Sequence, residues 1–236
     1  MVSPMPESSS PVSSATRPIV LAAVGLVVAL CALSAQAQQW GQYLAFEDLF
    51  SIGFPGEPAI EATTYETEFG ATLPARVYKA EDIFGTYAVT AVDWRGADEQ
   101  HAAAYEGCIV STGDLRGGEN PGLCSRNTLR SEVDGAMLHA MFDLIRRGGE
   151  VTYFGQMDAE EVEGLRVSIH NSDGSLTIGA AHWHENRLYI IEATAPDGAP
   201  TPNSFPVSMG FLDEEGRRVR YEERYSPLLP TPSRSR

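Results

Sequence analysis

The sequence predicts a single α+β domain in which an antiparallel sheet is flanked by helices. Several short segments with period-two alternation follow one another between glycine turns, which is typical of an antiparallel meander. One long stretch, residues 131–149, has apolar residues at helical spacing and ends at two glycines. Further alternating segments come after that stretch, so predicted strands lie on both sides of the main helix along the chain.

Residues 1–37 have the order of a secretory signal peptide. Arg17 precedes an apolar run from Ile19 to Leu33, and an A-x-A cleavage pattern then ends at Ala37. The run is shorter than the roughly 20 residues that a membrane-spanning helix needs, which favours cleavage. The sequence therefore predicts a periplasmic or secreted protein. If the segment were retained, the alternative would be a membrane-tethered envelope component.

The charge of the predicted domain, residues 38–225, excludes some partners. Glu7 and Arg17 cancel in the leader, so the chain from Gln38 onward, which contains this domain, keeps the whole net charge of -15. A negative surface repels phosphate backbones and anionic lipids. We therefore predict no nucleic-acid partner, and membrane association only if the signal segment is retained.

Two cysteines, Cys108 and Cys124, flank a segment rich in glycine, asparagine and proline. In an oxidising compartment such a pair predicts a disulfide, and closing a loop of this size is worth roughly 3 kcal/mol in the chain-entropy model. The C-x-x-C spacing that redox and thiolate metal sites use is absent.

The first half of the domain is predicted to consist of strands followed by a short helix. Phe50, Ile52 and Phe54 alternate and stop at a Pro-Gly turn, which predicts a strand. The next three segments are joined by glycines and predict a meander. These segments are residues 63–69, 73–81 and 86–94. An alanine-rich stretch with acidic residues near its start, residues 97–107, predicts a helix.

The predicted helix at residues 131–149 has one apolar stripe, which we expect to pack on the sheet. The stripe consists of Val133, Met137, Ala140, Met141 and Leu144.

Three more strands are predicted at residues 164–170, 175–183 and 187–194. If the turns at Asp173-Gly174 and Glu185-Asn186 both have two residues, Leu165 pairs with His182, which in turn pairs with Tyr189. One face of these strands is then almost wholly apolar. The other is a mixed face, partly polar.

The end of the chain carries weaker signals. A short helix is predicted within residues 205–212 and a last strand within residues 217–223. Residues 226–236 are rich in proline and serine without apolar periodicity, which predicts a disordered tail.

The segments "FSIGFPGEP", "LPARVYKAE", "YAVTAVDW" and "HWHENRLYIIEATAP", behind a signal peptide, resemble a family of uncharacterised exported bacterial proteins. More distantly, the order of elements is similar to that of PsbP-like α+β domains. That resemblance implies an accessory or binding protein without catalytic activity and without a cofactor. Its partner would be an unknown envelope protein or a small ligand.

Two histidines in "AAHWHE" suggest a metal site. His182 and His184 share one strand face, because side chains repeat every second residue, and two imidazoles so placed can chelate zinc or copper. A metal-dependent hydrolase is therefore one alternative function. The sequence shows no third ligand, so the other interpretation is that His182 bonds to backbone at the edge of the core and His184 is a solvated turn residue.

The mixed face of the predicted sheet is the candidate binding surface. Arg166, Ser168, Trp183 and Glu192 fall near one another there if the assumed turns hold, and charged groups around a tryptophan are typical of a binding site. The other interpretation is a surface ion pair between Arg166 and Glu192, with Trp183 packed under residues 40–46.

Overall fold

Eleven β-strands in two antiparallel sheets, together with three helices, make up the described part of the chain. The computed structural model describes Met1 and residues 40–112, 128–227 and 229–235. Trp40–Arg236 form one unit. Among the described residues, no helix combines the length and the apolarity needed to cross a bilayer.

The larger sheet has seven strands. They are β3 (Ala59–Glu66), β4 (Thr72–Asp82), β5 (Gly85–Asp93), β6 (Glu150–Gln156), β7 (Gly164–His170), β8 (Leu176–His184) and β9 (Arg187–Ala195). Their order across the sheet is β3-β4-β5-β9-β8-β7-β6. The predicted meander is confirmed, because β4 pairs antiparallel with both β3 and β5.

The smaller sheet joins the two ends of the domain. It consists of β1 (Trp40–Ala45), β2 (Phe50–Pro55), β10 (Gly210–Leu212) and β11 (Arg218–Val219), in the order β1-β2-β10-β11. The contact between the ends is antiparallel and short, with Ser51 opposite Gly210 and Phe50 opposite Phe211.

The helices are α1 (Ala97–Thr112), α2 (Thr128–Arg146) and α3 (Ser204–Val207). Helix α2 packs on β7, β8 and β9, and its predicted apolar stripe is buried. The approach is close at Gly179, where an added Cβ would lie 2.3 Å from a methyl carbon of Leu144. We call this side of the larger sheet the helix face.

The smaller sheet covers the opposite side of the larger sheet, which we call the inter-sheet face. Phe50 contacts Tyr78 and Tyr189 with ring centroids 5.0 Å and 5.7 Å apart. Phe211 contacts Tyr189 at 5.6 Å. The Tyr189 hydroxyl donates a hydrogen bond to the carbonyl oxygen of Asp48 (2.7 Å), which satisfies its one buried donor.

The predicted fold class, an α+β sheet flanked by helices, is wrong, and so is the PsbP-like architecture. Strand is more than twice as frequent as helix, at 47% against 19% of residues. Helix α2 packs against the helix face of the larger sheet, and the smaller sheet covers the other face. The sequence missed this sheet because β10 and β11 have only three and two residues. Strands that short carry no periodicity, and β10 pairs with β2, which is distant in the chain.

The hairpin between β8 and β9 has the predicted register, but the hairpin between β7 and β8 is shifted by one residue. His182 pairs with Tyr189 as expected, whereas Leu165 pairs with Ala181 rather than His182. The turn has three residues: the Asn171 amide donates to the Ser175 carbonyl (2.9 Å), and Gly174 has a φ of 86°. A one-residue shift exchanges the faces of a strand.

The carboxyl-terminal residues that the structure describes are paired rather than free. Tyr221 and Arg234 form an antiparallel bridge, and the Ser235 amide donates to the carbonyl of Arg220 (2.8 Å). Arg234 also forms an ion pair with Glu185 (2.8 Å). The described part of residues 226–236 therefore has backbone and ion-pair contacts with the rest of the domain, and the disordered tail stays a prediction.

Two predictions concern residues outside the described part. The signal peptide at residues 1–37 is one of them, Met1 excepted. The disulfide is the other: Cys108 lies in α1, whereas Cys124 is outside the described residues, so the bridge between them stays a prediction.

Candidate functional site

The predicted mixed surface is not assembled, because its four residues lie on opposite faces of the larger sheet. Gly179 pairs with Glu192, which places Glu192 and Trp183 on the helix face. Arg166 and Ser168 lie on the inter-sheet face as a result of the register shift. No single ligand can contact all four side chains on one surface of the sheet.

Arg166 has local partners on the inter-sheet face. The Arg166 guanidinium donates a hydrogen bond to the side-chain oxygen of Asn203, and it lies 5.8 Å from the centre of the Tyr153 ring. Ser168 is buried. These contacts hold Arg166 beside β6, the strand at the edge of the larger sheet.

Trp183 and Glu192 also have structural partners, and they differ from those that the sequence suggested. Trp183 is buried and packs edge-on against Trp94, with ring centroids 5.0 Å apart. Glu192 pairs at 2.7 Å with Arg147, the residue that follows α2. The predicted Arg166–Glu192 ion pair is therefore wrong, and so is the packing of Trp183 under residues 40–46.

His182 and His184 are brought together in the core of the inter-sheet face, where they are 0% and 1% exposed. The Nδ1–H of His182 donates to the carbonyl of Glu163 (3.3 Å), which agrees with the backbone-bonded interpretation. His184 is not solvated, because its Nε2 shares a hydrogen bond with the Tyr221 hydroxyl (2.8 Å). Phe211 packs against both rings, at 6.0 Å and 4.7 Å.

Burial keeps both histidines neutral. It lowers the pKa of His182 to about 4. It lowers the pKa of His184 to about 3, with a further contribution from the positive charges of Arg234 and Arg187. Neutral imidazoles could bind a metal, but the described residues contain no group of three metal-binding side chains. His182 and His184 are therefore buried, uncharged residues of the core.

A different surface stands out at the edge of the larger sheet. Four large apolar side chains from α2 and β6 are partly exposed on the helix face, and Phe142 stacks on Phe154 with ring centroids 6.4 Å apart and planes 18° apart. The four, with their exposed fractions, are Leu138 (41%), Phe142 (44%), Val151 (40%) and Phe154 (43%). We call these four residues the apolar edge surface.

The backbone of β6 is available along the same edge. Strand β6 is outermost in the sheet order of the described residues, and the Met157 amide donates to the carbonyl of Gly164 (3.0 Å). Along an antiparallel strand, the backbone amides of successive residues point alternately toward the neighbouring strand and away from it. The amides of Gly155 and Tyr153 therefore also point toward β7. The amides of Phe154 and Gln156 therefore point outward.

A shallow groove lies on another part of the larger sheet, over β4, β5 and β9. It encloses about 430 Å³, and its lining includes Ala59, Ala88, Lys79 and Glu192. Its volume is within the range of small-ligand sites. The groove is partly open to solvent, and two of its charged residues, Lys79 and Glu192, already pair with Glu61 and Arg147, so the apolar edge surface is the better candidate.

Sequence reasoning missed the apolar edge surface. The signal was present in residues 150–156, "EVTYFGQ", where β-branched and aromatic residues lie between glycines. Leu138 and Phe142 form a second stripe on α2, one helical turn apart and outside the buried stripe. Each of these two patterns is common in protein sequences. The exposed residues of α2 and β6 form one surface only because α2 packs beside β6.

The chain matches no model of a known protein family, and it matches no curated protein.

Proposed function

We propose that this protein is an exported accessory module that binds a partner protein through the apolar edge surface. The observation that carries the proposal is the stacked pair Phe142 and Phe154, which joins exposed apolar side chains of a helix and an edge strand into one surface. Contiguous apolar surface of this kind is typical of interaction sites. Export is supported by the leader pattern of residues 1–37.

The energy available from this surface is substantial. An aromatic side chain covers roughly 150–250 Å², and each phenylalanine here remains more than two-fifths exposed. At about 25 cal/mol per Å², covering the rest of one ring contributes about 2 kcal/mol to binding. Two such rings at the centre of a contact would act as the main anchors.

The alternative functions depend on other features. A metal-dependent hydrolase would need His182 and His184 together with a third ligand and an open coordination position, whereas both rings are fully buried between the sheets. A membrane-tethered component would need the leader to be retained, and sequencing of the amino terminus of the exported protein decides this. A start at Gln38 favours the proposed function.

Photo-crosslinking tests the proposal. A benzophenone side chain introduced at Leu138 is expected to give one discrete adduct with a partner in the native envelope, because this position is within the apolar edge surface. The substitution Phe142→Ser is expected to reduce the adduct by roughly tenfold or more, since it removes about 2 kcal/mol of apolar contact. Adducts are measured by mass spectrometry.

Two controls use exposed apolar residues in the turn between β4 and β5. A benzophenone at Ile83, which is 86% exposed, should give no such adduct, and Phe84→Ser should leave the Leu138 adduct unchanged. Absence of an adduct at Leu138, or the same adduct from Ile83, would overturn the proposal.

A further inference from the structure

The two edges of the larger sheet differ in how they are protected against further pairing. Strand β3, at one edge, carries Glu61 and Glu66 on its exposed surface, and Glu61 pairs with Lys79 (3.8 Å). Strand β6, at the other edge, has no charged residue between Glu150 and Asp158. Charged side chains are a common means by which proteins block unwanted strand addition. The described edge at β6 lacks that protection.

One irregularity defines where a further strand could pair. The register between β6 and β7 shifts between Val151 and Tyr153, as a bulge at Thr152 requires. Beyond it the ladder is regular from Tyr153 to Gln156. This regular segment holds the two outward amides, and Phe154 of the apolar edge surface lies within it.

The charge at this edge favours a cationic partner. Glu150 begins β6 and Glu161 lies in the loop after it, and both are exposed. Within the described residues neither carboxylate has an ion pair, whereas Asp158 pairs with Arg224 (2.5 Å). The net charge of -15 adds a long-range attraction for basic segments and opposes the approach of a second copy.

We propose that β6 accepts an extended segment of the partner as an additional antiparallel strand, and that this segment has an apolar centre flanked by lysine or arginine. The proposal rests on the proposed function and names its binding mode and the chemistry of the partner. Backbone hydrogen bonds would come from Phe154 and Gln156, apolar contacts from Phe142 and Phe154, and ion pairs from Glu150 and Glu161. Such strand addition derives its affinity from the main chain and its specificity from alternate side chains.

A proline substitution tests the backbone contribution. In Gln156→Pro the outward amide is lost, while the inward amides of Gly155 and Met157 remain for pairing with β7. The matched control is Gln156→Ala, which removes the side chain and keeps the amide. The probe is the synthetic peptide KKVTVTVKK, and binding is measured by fluorescence anisotropy on the full chain.

We expect Gln156→Ala to bind within about twofold of the wild type and Gln156→Pro to bind about tenfold more weakly, as loss of a backbone hydrogen bond predicts. The peptide EEVTVTVEE should bind much more weakly than KKVTVTVKK. In the wild type, hydrogen exchange at the amides of Phe154 and Gln156 should slow about tenfold with the basic peptide, as hydrogen bonding of both amides requires. This last measurement does not depend on the folding of any variant.

Several results would overturn the proposal. Equal binding by Gln156→Pro and Gln156→Ala, unchanged exchange at both amides, or equal affinity for the two peptides would each exclude it. A dimer of the free protein that dissociates in Gln156→Pro would show that a second copy occupies the edge. A persistent adduct from Leu138 together with any of these results would leave the proposed function intact and remove only the strand addition.

Discussion

Lowering the pH from 7 to 5 is expected to reduce the free energy of unfolding by about 4 kcal/mol through His182 and His184 alone. Burial lowers the pKa of these rings to about 4 and about 3, from an ordinary value of 6.5. The unfolded chain therefore takes up two protons below pH 6.5 that the folded chain does not. The stability that the neutral rings contribute is complete above that pH, and it is lost as the pH falls toward the lowered values.

The expected loss of about 4 kcal/mol follows from how far pH 5 lies below the ordinary pKa of histidine. Each pKa unit corresponds to about 1.4 kcal/mol, and pH 5 lies about 1.5 units below the ordinary value for each ring. The measurement is urea unfolding at several pH values between 7 and 5. Because carboxylates also respond to acid, the decisive quantity is the difference between the wild type and variants that lack one histidine.

In His184→Gln, the decrease in the free energy of unfolding between pH 7 and pH 5 is expected to be about 2 kcal/mol, half that of the wild type. Only one buried histidine then takes up a proton on unfolding in this pH range. His182→Gln should behave in the same way. The matched control is His170→Gln, an exposed histidine at the end of β7, which should keep the full wild-type pH dependence. Parallel pH profiles for the wild type and His184→Gln would show that the buried pair does not control acid stability.

Replacement of Glu132 by alanine is expected to lower the free energy of unfolding by about 3–5 kcal/mol, because three donors lose their acceptor and each buried donor left unsatisfied costs about 1–3 kcal/mol. Glu132 is 1% exposed and joins three elements. Nε2 of His101 in α1 donates to one of its oxygens (2.6 Å). The hydroxyl of Thr67 and the amide of Phe69 (2.9 Å) donate to the other. Without the Glu132 side chain, the buried donors of His101 and Thr67 and the partly buried amide of Phe69 lose their acceptor.

The same unfolding measurement distinguishes this contact from ordinary surface charge. Asp143 lies on the same helix, is 41% exposed and pairs with Arg146, so Asp143→Ala should cost less than about 1 kcal/mol. Glu132→Gln should cost less than Glu132→Ala, because its amide oxygen can still accept from Phe69. A similar loss for Glu132→Ala and Asp143→Ala would contradict the structural role assigned to the contact.

The candidate site could be predicted only in fragments. The sequence identifies α2 and its buried stripe, and the alternating apolar residues of β6 are visible in the printed chain. It does not show that Phe142 and Phe154 meet, because their contact depends on where α2 crosses the edge of the sheet. The predicted group of Arg166, Ser168, Trp183 and Glu192 failed for a related reason, since it assumed one turn length in the hairpin between β7 and β8.

By itself, the sequence determined the features that adjacent residues control. The turn at Glu185 and Asn186 is an example: both residues have positive φ, 45° and 60°, and this two-residue turn fixes the register of β8 with β9. Only the tertiary structure decided which face each side chain occupies and what covers it. A turn of three residues rather than two turned Arg166 away from Trp183, and Tyr221, far along the chain, buried His184. Local patterns specify backbone angles and alternation, whereas register and burial depend on contacts between distant residues.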